Sequence, residues 1–400
     1  MSISSLTLED QLLLCCARVN LSEENKLKTI QLLEGNLDWE YIVQTAIQNN
    51  LVPLLYHNLK TFKFHCVPSA LREKLHDLYY LNVKRNITLF GELGKLLKAF
   101  NGSGIPVIPF KGAFLAEKVY ANIALRPMED LDLLIKTEDY YRVKDLLASL
   151  GYKGQVFRTP FHEYVFHTVP IYGEISFAKG STIIDVHWDI RPIEKAVTLN
   201  ASHFWCNARL TELSNSTVYT FSPEDLIIHL CLHSYKHLIM AGESKFKFAF
   251  FCDIAEAVRF YGGEINWERF VATVENDVVG DIIFYCLNQA YMYLDAPIPV
   301  FVLNHLSNSA ENADQDFSDS PFAVKNRNMI NVKKYDLLRI NFSNKIDTFS
   351  KFKIIYGFLI PGKEYVSAHT TGNHHMFIKY ILYYFGILSR APGVLIHNRL

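Results

Sequence analysis

From residue 6 to about 100, apolar positions recur at three and four in "LEDQLLLCCARV", "LDWEYIVQTAIQNN" and "ALREKLHDLYYLNVKRNITLFGELGKLLKAF", with few glycines. That period lays one apolar stripe along each segment and predicts helices. Asn36 is placed to cap the second segment, and Asn101 with Gly102 to end the third. The period then changes. "IPVIPF" reads as a short strand, Lys111-Gly112 as the turn after it, and "AFLAEKVYA" as a helix. "DLDLLI" reads as a second strand, and a helix is expected from Glu138 to about Leu150, stopping at Gly151. Further strand-like stretches follow in "HEYVFHT", "GEISFAK" and "STIIDVHWDI".

Past "FSPED" the helical period returns. Ser222, Pro223 and Glu224 form a start signal for "EDLIIHLCLHSYKHL", followed by "FKFAFFCDIAEAVRF" and "INWERFVATVEND". The interval 307–328 has the composition of a mobile loop. The expected organisation is a helical region over 1–100, an α/β core over 101–215 and a helical region over 216–400.

Composition narrows the function classes. With 40 basic and 41 acidic side chains the chain presents no strong field of either sign, which argues against long nucleic acid as a partner. The seven cysteines form no CxxC pair, so neither a disulfide framework nor a zinc ribbon is expected. The first residues lack a secretory pattern, which predicts a cytoplasmic protein. "MFIKYILYYFGIL" at 376–388 is too short to span a bilayer and contains Lys379. It reads as a core helix, with weak interfacial membrane contact as the alternative.

The candidate chemistry lies in "RPMEDLDLLI", residues 126–135. Along a strand, side chains two apart share a face, so Asp130 and Asp132 stand together while Leu131 and Leu133 point into a core. Two carboxylates so placed repel and call for a cation; Mg²⁺ or Mn²⁺, hard ions bound by carboxylates together with substrate phosphates, suit them. Asp185 in "TIIDVHW" is a third acid in a strand-like setting. Beside the pair it would complete a cluster able to hold two divalent ions for in-line attack on a phosphate. The repulsion within the pair predicts that Asp132→Asn keeps the fold and raises stability without metal.

The succession "IPVIPFKGAFLAEKVY", "LRPMEDLDLLI", "LLASLGY", "IIDVHW" resembles the bacterial uncharacterised nucleotidyltransferase family of the polymerase-beta-like superfamily, as do "SPEDLIIHLCLHSYKH" and "CDIAEAV" downstream. The resemblance covers most of 10–290 and implies an α+β fold: a polymerase-beta-like nucleotidyltransferase core of mixed sheet and helices, flanked by helical regions. It implies transfer of an NMP group from a nucleoside triphosphate, ATP among the candidates, to a small-molecule, peptide or protein acceptor. A non-catalytic nucleotide-binding or protein-interaction module of the same fold is the alternative.

By the same resemblance, Gly112 opens a helix whose N-terminus faces phosphates, Asp130 and Asp132 bind the nucleotide-bound metal, and Asp185 binds a second ion and helps activate the acceptor. The superfamily favours Gly-Ser or Gly-Gly at the turn, whereas Gly112-Ala113 lacks the hydroxyl and leaves phosphate placement to amides and cations.

Other residues admit two readings each. Lys111 is a phosphate contact or a surface lysine, and Arg126 a triphosphate ligand or the partner of Glu129 or a helix terminus. His229, His233 and His237 form one helical stripe with Lys236 beside it. His233, Lys236 and His237 are nucleotide or acceptor contacts or ordinary packing; the stripe is too long for one zinc ion to collect all three histidines. His187 either orients Asp185 or alternates to the opposite strand face, and the second reading is preferred. No GxxxxGK[ST] loop is present, which disfavours a kinase.

Overall fold

The computed structural model describes residues 6–157, 163, 173–190, 199–240, 247–275, 279–309, 322 and 366. Five helices come first: α1 (Leu8–Cys16), α2 (Glu23–Leu33), α3 (Trp39–Gln48), α4 (Val52–Thr61) and the long α5 (Ser69–Gly102). Side-chain oxygens of Thr7 and Ser22 cap α1 and α2. Asp38, not Asn36, caps α3, accepting from the Tyr41 amide at 2.9 Å. Asp38 immediately precedes the first helical residue and so reaches the free amides.

Strands β1 (Ile108–Phe110), β2 (Leu131–Leu134), β3 (Lys153–Gly154), β4 (Glu174–Lys179) and β5 (Thr182–His187) form one mixed sheet in the order β1-β2-β5-β4-β3. The pair β2–β5 is parallel and the others antiparallel. A helical run, α6 (Gly112–Phe114) continuing as a π-helical turn (Leu115–Val119), follows β1. Helix α7 (Tyr140–Ser149) follows β2 and ends before Gly151, whose φ of +86° is left-handed.

Then come α8 (Ala201–Cys206) and a hairpin, β6 (Arg209–Leu213) and β7 (Ser216–Thr220), that the hydrophobic pattern does not single out. Its turn residues Ser214 and Asn215 both have positive φ, and the Tyr219 amide donates to the Val107 carbonyl at 3.2 Å, docking the hairpin beside β1. The chain closes with α9 (Pro223–Met240), α10 (Ala249–Tyr261), α11 (Trp267–Glu275), α12 (Gly280–Leu294) and α13 (Val300–Ser309). Ser222 starts α9 as expected, its Oγ accepting from the Asp225 amide at 3.2 Å. Helix α13 occupies the beginning of the interval expected as loop from 307; the stretch 162–168 apart from Glu163, the stretch 376–388, and most of that interval lie outside the described residues.

The sheet separates two apolar clusters. Leu131, Leu133, Ile184 and Val186 face Leu93, Leu97 and Phe100 of α5 and Val143 and Leu147 of α7. Phe110 and Leu134 belong to the second cluster, shared by the N-terminal helices through residues such as Leu12, Ile42 and Leu54 and by the C-terminal ones through Ile227, Ile254 and Ile283. Each fully buried Leu or Ile contributes roughly 2 kcal/mol. Covered on both sides, β2 is buried at all four positions, including Asp132. Among the described residues no helix is long and apolar enough to cross a membrane.

Candidate active site

The sheet register sets one row of side chains on the face beneath α9. Phe110 of β1 pairs with Asp132 of β2, Asp132 with Asp185 of β5, and Asp185 with Ser176 of β4. Adjacent strands lie about 4.8 Å apart, so the carboxylates of Asp132 and Asp185 are side by side. Asp130 precedes β2 by one residue and is half-buried.

Asp132 and Asp185 each take a local partner. Lys111 Nζ donates to Asp132 Oδ1 at 2.6 Å, and His187 Nε2 lies 2.9 Å from the same oxygen. Ser176 Oγ donates to Asp185 Oδ1 at 2.6 Å. Among the described residues no three His, Cys, Asp or Glu side chains are gathered closely enough to form a ready metal-binding group. Asp130 nevertheless lies near enough to Asp132 and Asp185 for both to raise its carboxyl.

Lys111 is neither a surface lysine nor turned to solvent: it ends β1 with φ 48° and ψ −124°, a region costly for a side chain bearing Cβ. This sharp reversal starts the helix at Gly112 and folds the ammonium back over Asp132. A Cβ on Gly112 would stand 2.9 Å from Met128 Cγ and 3.0 Å from Arg126 Nη1, so glycine lets the turn close against the segment that leads to the acids. Ala113 is buried in the core behind it.

Arg126 forms a structural salt bridge, as one of its sequence readings had it, with Asp253 in place of Glu129. Its guanidinium binds Asp253 of α10 through Nη2–Oδ2 at 2.8 Å and Nε–Oδ1 at 3.3 Å, and Nη1 donates to the Pro127 carbonyl at 2.8 Å. Glu129 is exposed, and the partner lies 127 residues away in sequence, beyond any local pattern.

His187 is a second correction. It shares Asp185's face, being two residues on, and bridges Asp132 to Glu174, whose Oε2 lies 3.1 Å from Nδ1. Phe110 and His229 close over it, with ring centroids of 4.9 Å from Phe110 to His187 and 5.0 Å from Phe110 to His229.

The histidine stripe of α9 faces this row. Lys236 Nζ lies 3.8 Å from Glu174 Oε1, which ties α9 to β4. His233 and His237 pack on one another at 4.6 Å and on Phe250 at 5.2 and 4.9 Å. Among the described residues none of these imidazoles joins a metal group. His229 is buried with its Nε2 lacking a hydrogen-bond partner.

The electrostatics follow from these positions. Burial raises the Asp132 carboxyl, but Lys111 and His187 outweigh it and hold the group well below the usual carboxylate range. Burial likewise opposes the Lys111 ammonium, and Asp132, with Glu174 and Asp130, reverses the effect and raises it. Asp130 is pushed up to about 7, first by burial and then by Asp132 and Asp185, against Lys111 and Arg126. Burial and the Lys111 charge drive His229 and His233 well below their ordinary value, so both are neutral.

Asp130 accordingly carries a pH signature. An unfolded Asp loses its proton near pH 4, whereas folded Asp130 keeps it to about 7. Between those values the folded chain binds the extra proton, so this residue's contribution to stability falls as pH rises. In metal-free buffer, Asp130→Asn should gain stability relative to wild type from pH 5 to pH 8, read by urea denaturation. The neutral histidines impose the opposite slope on both proteins and cancel in the comparison.

The residues present suit a divalent cation: three oxygen donors of hard character, one of them, Asp130, pushed up to about 7 by burial and then by the neighbouring Asp132 and Asp185 charges that a cation would offset. A match to the uncharacterised nucleotidyltransferase family model spans residues 35–295, taking in the acid row, the Lys111 turn and α10. The chain belongs to that family. This nucleotidyltransferase has no significant match among the curated proteins. The solution structure of the antibiotic-resistance factor ANT(2'')-Ia is similar at 12% identity over 47% of this chain and 90% of that one, with a TM-score of 0.33, too loose a likeness to bear on the site.

Proposed function

We propose that the chain transfers an NMP group from a nucleoside triphosphate to a hydroxyl or phosphate of a small-molecule, peptide or protein acceptor, releasing pyrophosphate, with Mg²⁺ or Mn²⁺ held by Asp130, Asp132 and Asp185. The observation that carries this reading is the in-register placement of Asp132 and Asp185 on adjacent parallel strands, with Asp130 entering β2 beside them. When bound, the metal supplies polarisation of the α-phosphate and offsets charge on the leaving oxygens. Asp185, at the end of the row away from Lys111, helps to activate the acceptor hydroxyl. Lys111, paired with Asp132 at 2.6 Å, would contact the triphosphate. Backbone amides at Gly112 and Ala113 would supply an anion site for the phosphates, and His233, Lys236 and His237 of α9 would contact nucleotide or acceptor. The flanking helical regions form the acceptor cleft, since ligand sites favour such junctions.

Incubating the full chain with each of four α-labelled triphosphates, Mg²⁺ or Mn²⁺ and a cell extract, followed by mass spectrometry, should give a labelled product with wild type and none with Asp185→Asn. Label transfer equal in the two proteins contradicts the assignment of Asp185.

A further inference from the structure

Glu174 opens β4, and nearly half of its side chain is exposed, as for an ordinary surface acid. Two contacts set it apart. Its Oε1 lies 3.8 Å from Lys236 Nζ, and its Oε2 lies 3.1 Å from His187 Nδ1. The first joins two half-exposed groups at long range and contributes little. The second reaches a buried ring, 4% exposed, that stands opposite Glu174 in the register of β4 and β5.

The ring passes the contact inward. His187 Nε2 lies 2.9 Å from Asp132 Oδ1, so Glu174, His187 and Asp132 form one connected series across β4, β5 and β2. Lys111 Nζ meets the same oxygen, and among the described residues no hydrogen bond reaches Oδ2, the oxygen left for a cation. Lys111 brings its donor on a long flexible stem, whereas His187 brings a planar ring from β5, the middle strand of the sheet, and so sets the plane of the carboxylate. A half-turn of that ring would put carbon where both nitrogens now stand. Glu174 and Asp132, whose carboxylates only accept, both oppose it; without Glu174 a single contact is left to do so.

We propose that Glu174 is a positioning residue: by accepting from His187 Nδ1 it holds Nε2 on Asp132 and so fixes the carboxylate in the orientation that a divalent cation requires. The inference rests on the reading that Asp132 holds the metal. Its test is Mn²⁺ binding to the full chain, followed by the paramagnetic resonance of free Mn²⁺, which needs no turnover.

Outer groups that orient a metal ligand account for about 10- to 100-fold in affinity, and Glu174→Ala should weaken Mn²⁺ binding by about tenfold. Glu174→Gln keeps an acceptor toward Nδ1 and should stay within threefold of wild type, whereas a role through charge alone would make it as weak as the alanine variant. In a His187→Gln background Glu174→Ala should cost less than twofold more, because its effect passes through the ring. A loss under threefold in Glu174→Ala, a glutamine variant as weak as the alanine variant, or an undiminished loss in the His187→Gln background overturns the proposal. Should Glu174→Ala fail to fold, Glu174→Met, of similar length and without an acceptor, takes its place in each comparison. Failure of wild type itself to bind Mn²⁺ overturns the cation site as a whole, and is told apart by appearing without any substitution.

Discussion

Asp132→Asn should destabilise the metal-free chain by about 3 kcal/mol, the usual consequence of removing one member of a buried ion pair. The pair is nearly closed to water, with 16% of the Lys111 side chain and 5% of the Asp132 side chain exposed. Asparagine keeps the volume but leaves the ammonium without its counter-charge and takes the anionic acceptor from His187. This reverses the expectation drawn from the sequence, in which mutual repulsion of the two acids made the substitution stabilising. The repulsion falls on Asp130 instead, because Lys111 and His187 have already compensated Asp132. Chemical denaturation measures the stability loss, and label transfer from an α-labelled triphosphate should fall at least about 10³-fold, since a neutral amide is a poor ligand for a hard cation.

The second large effect is expected at His187. Alanine there removes the link from Glu174 to Asp132 and empties the space beneath Phe110 and His229. A group that orients a ligand through its other ring nitrogen typically accounts for 10- to 100-fold in activity, and the cavity should cost about 2 kcal/mol. His187→Gln, which retains a donor toward Asp132, should recover part of the activity. Equal losses in the two variants would assign His187 to packing alone.

The acid row was legible in sequence because strand alternation is a local rule: Leu131 and Leu133 enter one core while Asp132 and Asp185 share the opposite face. The same rule places His187 on that face, two residues after Asp185, so its role was within reach of the pattern and the opposite-face reading misapplied it. Lys111 was read as a turn residue that is either a phosphate contact or a surface lysine; its inward ammonium, held by Asp132 across the sheet, is not a local feature.

The pairing of Arg126 with Asp253 was not legible. It joins segments distant in sequence, and Asp253 sits on a helix whose apolar stripe explains its neighbours without it. The hairpin of β6 and β7 escaped notice because Ser214 and Asn215 form a two-residue turn without glycine.

The most direct test of the central claim is linkage between nucleotide, metal and folding. At a hundredfold excess over its dissociation constant, a ligand bound only by the folded chain adds about 2.7 kcal/mol of stability. Denaturation of the wild-type chain should show that gain with Mg²⁺ and its preferred triphosphate together, little with either alone, and none in Asp132→Asn. No shift with ATP, GTP, CTP or UTP, or a shift of equal size in Asp132→Asn, would contradict a nucleotide site built on these acids.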